Sequence, residues 1–414
     1  MKEILVIGGG IIGLCSAYYL NKEGHKVTVI DQSNLDEGAS YVNAGYISPS
    51  HIVPLSAPGV VRKGLQWMFD PSSPFYVKPR MDPEFLKWAW AFAKSCNEKH
   101  VERSIRVIRD ISLLSEDLYK DLSQDSRFDF HFEKKGILMI CQTEKMLEEE
   151  IRVAKMASDI GLEVEELNET ELKNLENKTS VDAVGATHYL CDSHTTPHEF
   201  MRNMKKCLEE EGVEIHKNEK VENLILEAGK VQGVLTDKTE YKADEFVLAA
   251  GSWTPLICKK IGINMLLQAG KGYRINCFRP TGIQYPAILT EAKAAVTPMN
   301  GFTRFAGTME IAGISKNVNP VRVNAIAAAA KRYYPDVELT EEEKRDASSG
   351  LRPVTPDGLP YIGRSAKCDN LTLATGHAMM GWSMATGTGK LVTEIISGQK
   401  LSMDVKPFHP DRYF

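Results

Sequence analysis

Apolar and polar positions change their period twice within the first thirty residues. An unbroken apolar run, Ile4 to Ile7, meets the turn Gly8-Gly9-Gly10, a helix-length amphipathic stretch follows, and a β-branched run ends at Asp31. That order predicts strand, helix, strand. From Met81 to about Gln124 the period is helical, with Leu86, Trp90 and Ala93 on one stripe, and GILMICQT from Gly136 reads as a strand opening a second structural unit. TEKMLEEEIRVAKMASDIG predicts another helix, and Asn168 with Glu171 has the spacing of a capping box. TPHEFMRNMKKCLEEEG predicts one more, with Thr196 as cap, Pro197 in the first turn, Glu199 three residues after the cap and Gly212 at the stop.

Three β-like runs follow, VEIHK, VENLILEAGKVQGVL and EYKADEFVLAAG, with a hairpin expected at Gly229 and a return to the first sheet. Between Ile263 and Glu343 the runs GYRINCF and FTRFAGTMEIAGI predict strands, and VNAIAAAAKRYYP predicts a helix stopped by Pro335. The tail LTLATGHAMMGWSMATGTGKLVTEIISG reads as strand, glycine loop and helix. With neither repeats nor a low-complexity linker, the domains are expected to be woven from alternating segments.

Composition narrows the partners. The 414 residues are 43% apolar and 25% charged with a net charge of -5, enough for two or three domain-sized units and without a basic surface for nucleic acid or anionic lipid. A small molecule is the expected partner. The eight cysteines stand singly, without metal-ligand spacing to histidine, and read as reduced cytosolic thiols; no metal is expected. The apolar stretch Ile4 to Leu20 is broken by four glycines, so it reads as neither a membrane span nor a signal peptide, and a cytoplasmic protein is expected.

Gly8, Gly10 and Gly13 form GxGxxG directly between the first strand and helix, with Asp31 ending the next strand. The glycines permit the tight turn, the approach of a pyrophosphate and close helix packing, while the acid would accept from ribose hydroxyls. Four separated segments then carry a resemblance: this fingerprint, GASYVNAGYISPSHIVPLSAPG from Gly38, FVLAAGSWTP from Phe246, and GLRPVTPDGLPYIG from Gly350 with ATGHAMMGWSMATGTG from Ala374. In this order they are similar to the D-amino acid oxidase superfamily, most closely its bacterial D-amino acid dehydrogenase branch, over the whole chain.

The resemblance implies an α/β fold in which a Rossmann-like FAD-binding domain (residues 1–80, 185–262 and 345–414) is interleaved with an α+β substrate-binding domain of antiparallel sheet and helices (81–184 and 263–344). It implies non-covalent FAD, since Asn43 stands where some relatives attach flavin through histidine and Cys368 lies on the wrong side of its strand. The implied cofactor contacts are Gly8, Gly10, Ile11, Ile12, Gly13, Asp31 and Gln32 in the fingerprint, and Ser40, Asn43, Ala44 and Gly45 along the flavin. Ala250 and Gly251 would pass near the pyrophosphate side, Val221 and Trp253 are further cofactor contacts, and Gly376, Gly381, Trp382 and Ser383 would surround the pyrimidine edge, with Arg352 at both cofactor and substrate. Independently of family, a glycine loop feeding a helix points amide donors and a positive dipole end at what precedes it, worth about 0.3–2 kcal/mol to an anion.

Arg352 also matches the arginine that binds the substrate carboxylate in relatives; a guanidinium fork suits a carboxylate bidentately, and a structural arginine is the alternative. His377, Tyr46 and His51 are further pocket candidates, each with a packing role as the alternative. Hydride transfer to flavin needs a neutral amine and a fixed geometry, so no catalytic acid or base is expected. Ala295 stands where oxidase relatives carry a carboxylate-binding tyrosine, and Tyr273 is the candidate for that second contact.

The activity implied is oxidation of the Cα–N bond of a D-amino acid by hydride transfer to flavin N5, giving an imino acid that hydrolyses to a 2-oxo acid. D-proline or cis-4-hydroxy-D-proline dehydrogenase and an O2-reducing oxidase are the alternatives, with a nicotinamide dehydrogenase and a flavin-bound scaffold as readings from other classes. The branch commonly passes electrons to a membrane quinone, so the aromatic stretch Trp67, Met68, Phe69, Phe75, Trp88, Trp90 and Phe92 has two readings: a peripheral contact at the inner face of the cell membrane, or helix packing.

Overall fold

Strand β1 (Glu3–Ile7), helix α1 (Ile11–Lys22) and strand β2 (Lys26–Ile30) form where the period changes, in a computed structural model that describes residues 1–61, 73, 75–78 and 80–414. β1 is an unbroken apolar run because both of its faces are covered; Ile4 to Ile7 are all buried. The turn after it is unusually close. Gly8 has φ +107°, and a Cβ there would lie 2.5 Å from the Ala249 carbonyl oxygen; a Cβ on Gly13 would lie 1.8 Å from the Gly8 carbonyl oxygen. The fingerprint glycines thus seat α1 against the turn before any ligand is considered.

β1 and β2 belong to a six-stranded sheet of order β10-β2-β1-β14-β21-β20, completed by β10 (Glu214–His216), β14 (Glu245–Leu248), β20 (Tyr361–Arg364) and β21 (Leu371–Thr375). Its pairings are parallel except β20 with β21. α6 (Pro197–Glu210), α10 (Ala385–Ser397) and the 27-residue α3 (Glu98–Gln124) share a core with α1 on one face. The other face packs α7 (Thr254–Lys260) and a separate sheet of β11 (Val221–Glu227), β12 (Lys230–Thr236) and β13 (Glu240–Tyr241). The expected hairpin at Gly229 forms, with Ala228 and Gly229 both at positive φ, but it leaves the nucleotide-type sheet. Of the three runs expected there, only the first and the end of the third return to it.

Among the described residues a second sheet has nine strands: β19 (Ser348–Val354), β15 (Gln268–Cys277), β18 (Phe302–Ile311), β17 (Ala294–Met299), β16 (Ala287–Leu289), β6 (Ile137–Cys141), β8 (Gly185–Tyr189) and β7 (Val164–Asn168) in that order, with β4 (Phe75–Val77) beside β18. β4, β8 and β19 lie within segments expected of the nucleotide domain, yet pair here. α8 (Pro320–Tyr333) and the short α5 (Glu169–Leu175) and α9 (Glu341–Arg345) cover one face, α4 (Glu144–Asp159) packs beside β6 to β8, and the opposite face of β15 to β19 turns to the first domain. A small sheet of β3 (Tyr46–Ile47), β9 (Ser193–Thr195) and β5 (Phe132–Glu133) bridges the two.

The Asn168–Glu171 capping box is present. The one expected at Thr196 and Glu199 is not: the Thr196 hydroxyl accepts from Asn300 N at 2.9 Å, and Glu199 accepts from His131 N and Asn300 Nδ2, both at 2.8 Å. Neighbouring loops offered those two side chains donors that otherwise lacked a partner, so tertiary bonds replace the local ones.

In α2 (Pro83–Ser95) the expected stripe of Leu86, Trp90 and Ala93 faces solvent, and Trp90 is 66% exposed. Phe85, Trp88 and Phe92 are the buried stripe, packed on Met309 and Val354, with Trp88 Nε1 donating to the Val354 carbonyl at 3.0 Å. Large apolar residues occupy both faces of this helix, and the face with a partner wins. Helix packing thus accounts for Trp88, Phe92 and the half-buried Phe75; Trp67, Met68 and Phe69 lie outside the described residues. Among the described residues no helix is long and apolar enough to cross a membrane.

Replacing Trp88 by alanine should destabilise the protein by about 3–5 kcal/mol, whereas Trp90→Ala should stay within about 0.5 kcal/mol. Thermal unfolding of the two variants side by side checks the phase of the helix: equal shifts would contradict it.

Candidate functional site

The carboxyl ends of β1, β2 and β14 open onto a cavity of about 1470 Å³ whose far wall is the cavity face of β15 to β19. Drug-sized ligands fill about 300–1,000 Å³, so this space suits a dinucleotide with a small substrate beyond it. Parallel sheets take ligands at this end, where the crossovers diverge.

At one end, Asp31 lines the cavity; its Oδ2 accepts from Gly9 N at 2.7 Å and its Oδ1 from Ser33 N and Oγ at 2.7 and 2.6 Å, which fixes the carboxylate and leaves it lone pairs for ribose hydroxyls. Gly10, Ile11, Ile12, Gln32, Val221, Ala250, Gly251 and Trp253 line the cavity as well. A Cβ on Gly10 would meet only Ser40 Oγ, at 3.5 Å, so the space above this glycine is open for a ligand. Gly13 is not at the cavity; it serves helix packing.

Ser40, Asn43 and Ala44 continue the wall. Ser40 Oγ accepts from Ile11 N at 2.9 Å, capping α1 across the loop. Asn43 Oδ1 accepts from Gly45 N at 2.8 Å, and the Ala44 carbonyl accepts from Thr297 Oγ1 at 2.8 Å. Gly45 is set back from the cavity, where a Cβ would lie 2.2 Å from the Thr195 carbonyl oxygen. Sequence reasoning missed Arg304, which is 3% exposed and ties this loop to β18: its Nη1 donates to the carbonyls of Tyr41 and Asn43 at 2.8 and 2.6 Å, and its Nε to Asn276 Oδ1 at 3.0 Å. Burial pushes that guanidinium down to about 9.

From the tail, Gly381, Trp382 and Ser383 line the cavity, while Gly376, at φ +83°, turns the chain behind it against Thr355. Ser383 Oγ donates to the Tyr46 carbonyl at 2.8 Å and accepts from Ser48 N at 3.1 Å; Trp382 Nε1 donates to Thr195 Oγ1 at 2.9 Å. These bonds join the tail to the small bridging sheet.

At the other end, Arg352 points across β15. Its Nη1 donates to the Thr308 carbonyl at 2.7 Å, and its guanidinium lies where a Cβ on Gly272 would sit, 2.4 Å away, so only glycine permits this path. Thr308 is at φ +60° in a bulge, where two residues of β18 face one of β15, and that kink aims its carbonyl at the guanidinium. Burial lowers Arg352 to about 10, which leaves it a cation at neutral pH, and no carboxylate among the described residues pairs with it. A half-buried guanidinium with most of its fork unused suits an anion.

Tyr46, His51 and His377 all line the cavity. The Tyr46 hydroxyl is 2.8 Å from the carbonyls of both Ala287 and Val296, so it is spent on the sheet. Burial, helped by Lys293, lowers His51 to about 4, and burial alone lowers His377 to about 3; both are neutral imidazoles. His377 Nε2 bonds Thr388 Oγ1 at 2.9 Å while its buried Nδ1 has no partner. Tyr273 does not supply a second carboxylate contact: its ring is in the second core and its hydroxyl donates to Glu310 at 2.8 Å. Cys368 is buried in the core behind β21 rather than at the cavity. His131, Glu133 and His194 form a cluster outside the cavity with ligand atoms within 4.8 Å of one another, although Lys135 already pairs with Glu133 at 2.7 Å.

A glycine turn with a fixed carboxylate at one end of a long cavity, and a guanidinium without a carboxylate partner at the other, is the arrangement of a dinucleotide-dependent oxidoreductase. Residues 3–395 match the model of the FAD dependent oxidoreductase family (DAO), and the chain belongs to it. It is 31% identical over 412 residues to a D-amino acid dehydrogenase of Vibrio atlanticus, covering 98% of this chain and 97% of that one. It is 29% identical over 423 residues to one of Allorhizobium ampelinum, covering 99% and 98%. Among solved structures, glycine oxidase from Geobacillus kaustophilus matches with a TM-score of 0.79 at 20% identity, over 100% of this chain and 99% of that one. L-proline dehydrogenase from P. horikoshii matches at 0.74 and 19%, over 99% and 96%. The protein is therefore an FAD-dependent amino-acid-oxidising enzyme, and the open space at Gly10 and the fixed Asp31 carboxylate fit that cofactor.

Since Gly10 has φ -67° and open space above it, Gly10→Val should fold normally and yet purify without flavin. Circular dichroism together with absorbance near 450 nm checks this; a yellow variant would contradict the placement of the pyrophosphate.

Proposed function

We propose that the protein is a D-amino acid dehydrogenase, and the observation that carries this reading is the unpaired Arg352 guanidinium at the substrate end of the cavity. The α-carboxylate would take the fork of Arg352, with Thr308 and Gly272 holding the guanidinium from behind. Ala306 and Ala295 line this part of the cavity, and their small side chains leave room for the substrate body. Bound FAD supplies the hydride acceptor at N5. The amino acid loses the hydride from Cα and a proton from nitrogen, and the imino acid released takes up water to give a 2-oxo acid and ammonia. Arg352 fixes the α-hydrogen, and the buried wall excludes water.

The relatives named D-amino acid dehydrogenase support the D-configuration and an acceptor other than O2, and a quinone is the acceptor we assign. Secondary amines such as D-proline and cis-4-hydroxy-D-proline remain within the same chemistry. Their order is set by anaerobic bleaching of the flavin near 450 nm with D-amino acids, L-enantiomers, glycine and the two imino acids. Bleaching by D-substrates with slow reoxidation in air and fast reoxidation by a quinone analogue is the expected result; bleaching by L-enantiomers alone would overturn the assignment.

Arg352→Ala should retain flavin and lose about 3–5 kcal/mol of carboxylate binding, roughly a hundredfold to a few thousandfold in kcat/KM. Gly272→Ala, which pushes the guanidinium off the backbone, should raise KM with flavin content unchanged. Steady-state kinetics on flavin-loaded protein tests both.

His51 is held at about 4 and His377 at about 3, so both are largely neutral above pH 5. The kcat/KM profile should rise only with deprotonation of the substrate amine and show no step between pH 5.5 and 7; a step there that disappears in His377→Gln would make His377 a proton carrier.

A further inference from the structure

Resting on that reading, a second cation in the cavity narrows the substrate class. Lys293 ends the four-residue turn between β16 and β17 and lines the cavity. Lys293 is exposed and, like Ala295 two residues on, lines the cavity, while Ala294 and Val296 are buried in the core. Its place relative to Arg352 follows from the register. Ala294 pairs with Gly307, so the turn that holds Lys293 meets β18 next to Thr308, the residue whose carbonyl receives Arg352 Nη1 at 2.7 Å.

The charge of Lys293 is not neutralised locally. Glu291, two residues back, is consumed: its Oε1 accepts from Gln142 N and from Thr143 N and Oγ1 at 3.0–3.1 Å, and its Oε2 takes the hydroxyls of Thr290 and Tyr333. Glu150, also within its field, is pushed by burial toward the neutral acid, and neither carboxylate forms an ion pair with the ammonium. The acidic residues lining the cavity are Asp31, Asp36, Glu37, Glu219 and Asp237, which follow β2 or flank the β11–β12 hairpin at the nucleotide end. At the substrate end the titratable neighbour is His51, a neutral imidazole. The turn that holds Lys293 is fixed, since Thr290 N and Oγ1 both bond the Ile140 carbonyl, and Lys293 itself sits at φ +50°, a conformation that disfavours a side chain.

An α-amino acid brings one carboxylate and uses one cation. We propose that the substrate carries a second carboxylate on its side chain, as D-glutamate and D-aspartate do, and that Lys293 is the specificity-determining residue that receives it while Arg352 holds the α-carboxylate.

The test is the rate of anaerobic flavin reduction in the holoenzyme with D-glutamate and with its neutral isostere D-glutamine, at subsaturating concentration. Wild type should favour D-glutamate by roughly tenfold or more, the preference should shrink with added salt, Lys293→Met should bring the ratio near unity, and Lys293→Glu should favour D-lysine over D-glutamate. Equal rates for D-glutamate and D-glutamine in wild type, or a ratio unchanged in Lys293→Met, would overturn the proposal while leaving the D-amino acid reading intact. Should Lys293→Met fail to fold, the wild-type ratio and its salt dependence decide alone. Reduction by no D-amino acid in fully loaded enzyme would overturn the underlying reading, and this proposal with it.

Discussion

Arg304 decides where the two halves of the molecule stand. A buried guanidinium whose nearest fixed charge is another cation would be costly unless its donors were spent, and it spends them on two carbonyls of the Tyr41–Asn43 loop and one amide oxygen of β15. The loop belongs to the nucleotide side and the strand to the substrate side. The rigid planar group of Arg304, together with the Tyr46 and Thr297 bonds, holds the two walls of the cavity at a fixed separation. Hydride transfer depends steeply on that distance. Every other feature of the cavity, from the cap of Ser40 on α1 to the Thr308 carbonyl, refers to one of the two surfaces that Arg304 joins.

The substrate end follows a common design with small parts. Along the cavity face of β15 to β19, Ala295 and Ala306 are small residues beside Arg352, and Lys293 lines the same cavity from the turn before β17. The bulge at Thr308 does the fine aiming. It costs one residue a left-handed backbone and gives in return a carbonyl facing across the sheet, which no regular strand provides.

What could be read from the chain alone was local. The glycine turn and Asp31 lie within twenty-four residues and a single strand-helix-strand unit, and Arg352 sits in a compact motif, so both are legible without knowing what packs on them. Arg304, Gly272 and Lys293 carry no such signature: each gains its role from register across β15, β17, β18 and β19, strands separated by up to eighty residues. The phase of α2 failed for a related reason. Phe85, Leu86, Trp88, Trp90 and Phe92 satisfy more than one helical face, and only the arrival of Val354 and Met309 from far along the chain selects between them. Thr196 and Glu199 had the letters of a capping box, but Asn300 and His131 claimed them. Nonlocal partners override local grammar wherever the local energies are near 1 kcal/mol.

The order of strands in the six-stranded sheet also sets a clock for synthesis. β1 pairs with β14, and β14 with β21, so the first strand made waits for residues 245–248 and the sheet is closed only when residues 371–375 leave the ribosome. At roughly 5–20 residues per second that is about 20–75 s during which apolar strands of the sheet's centre have an open edge. A nascent chain of this kind keeps an apolar strand edge open over most of its own translation, the condition under which edge-to-edge association competes with folding.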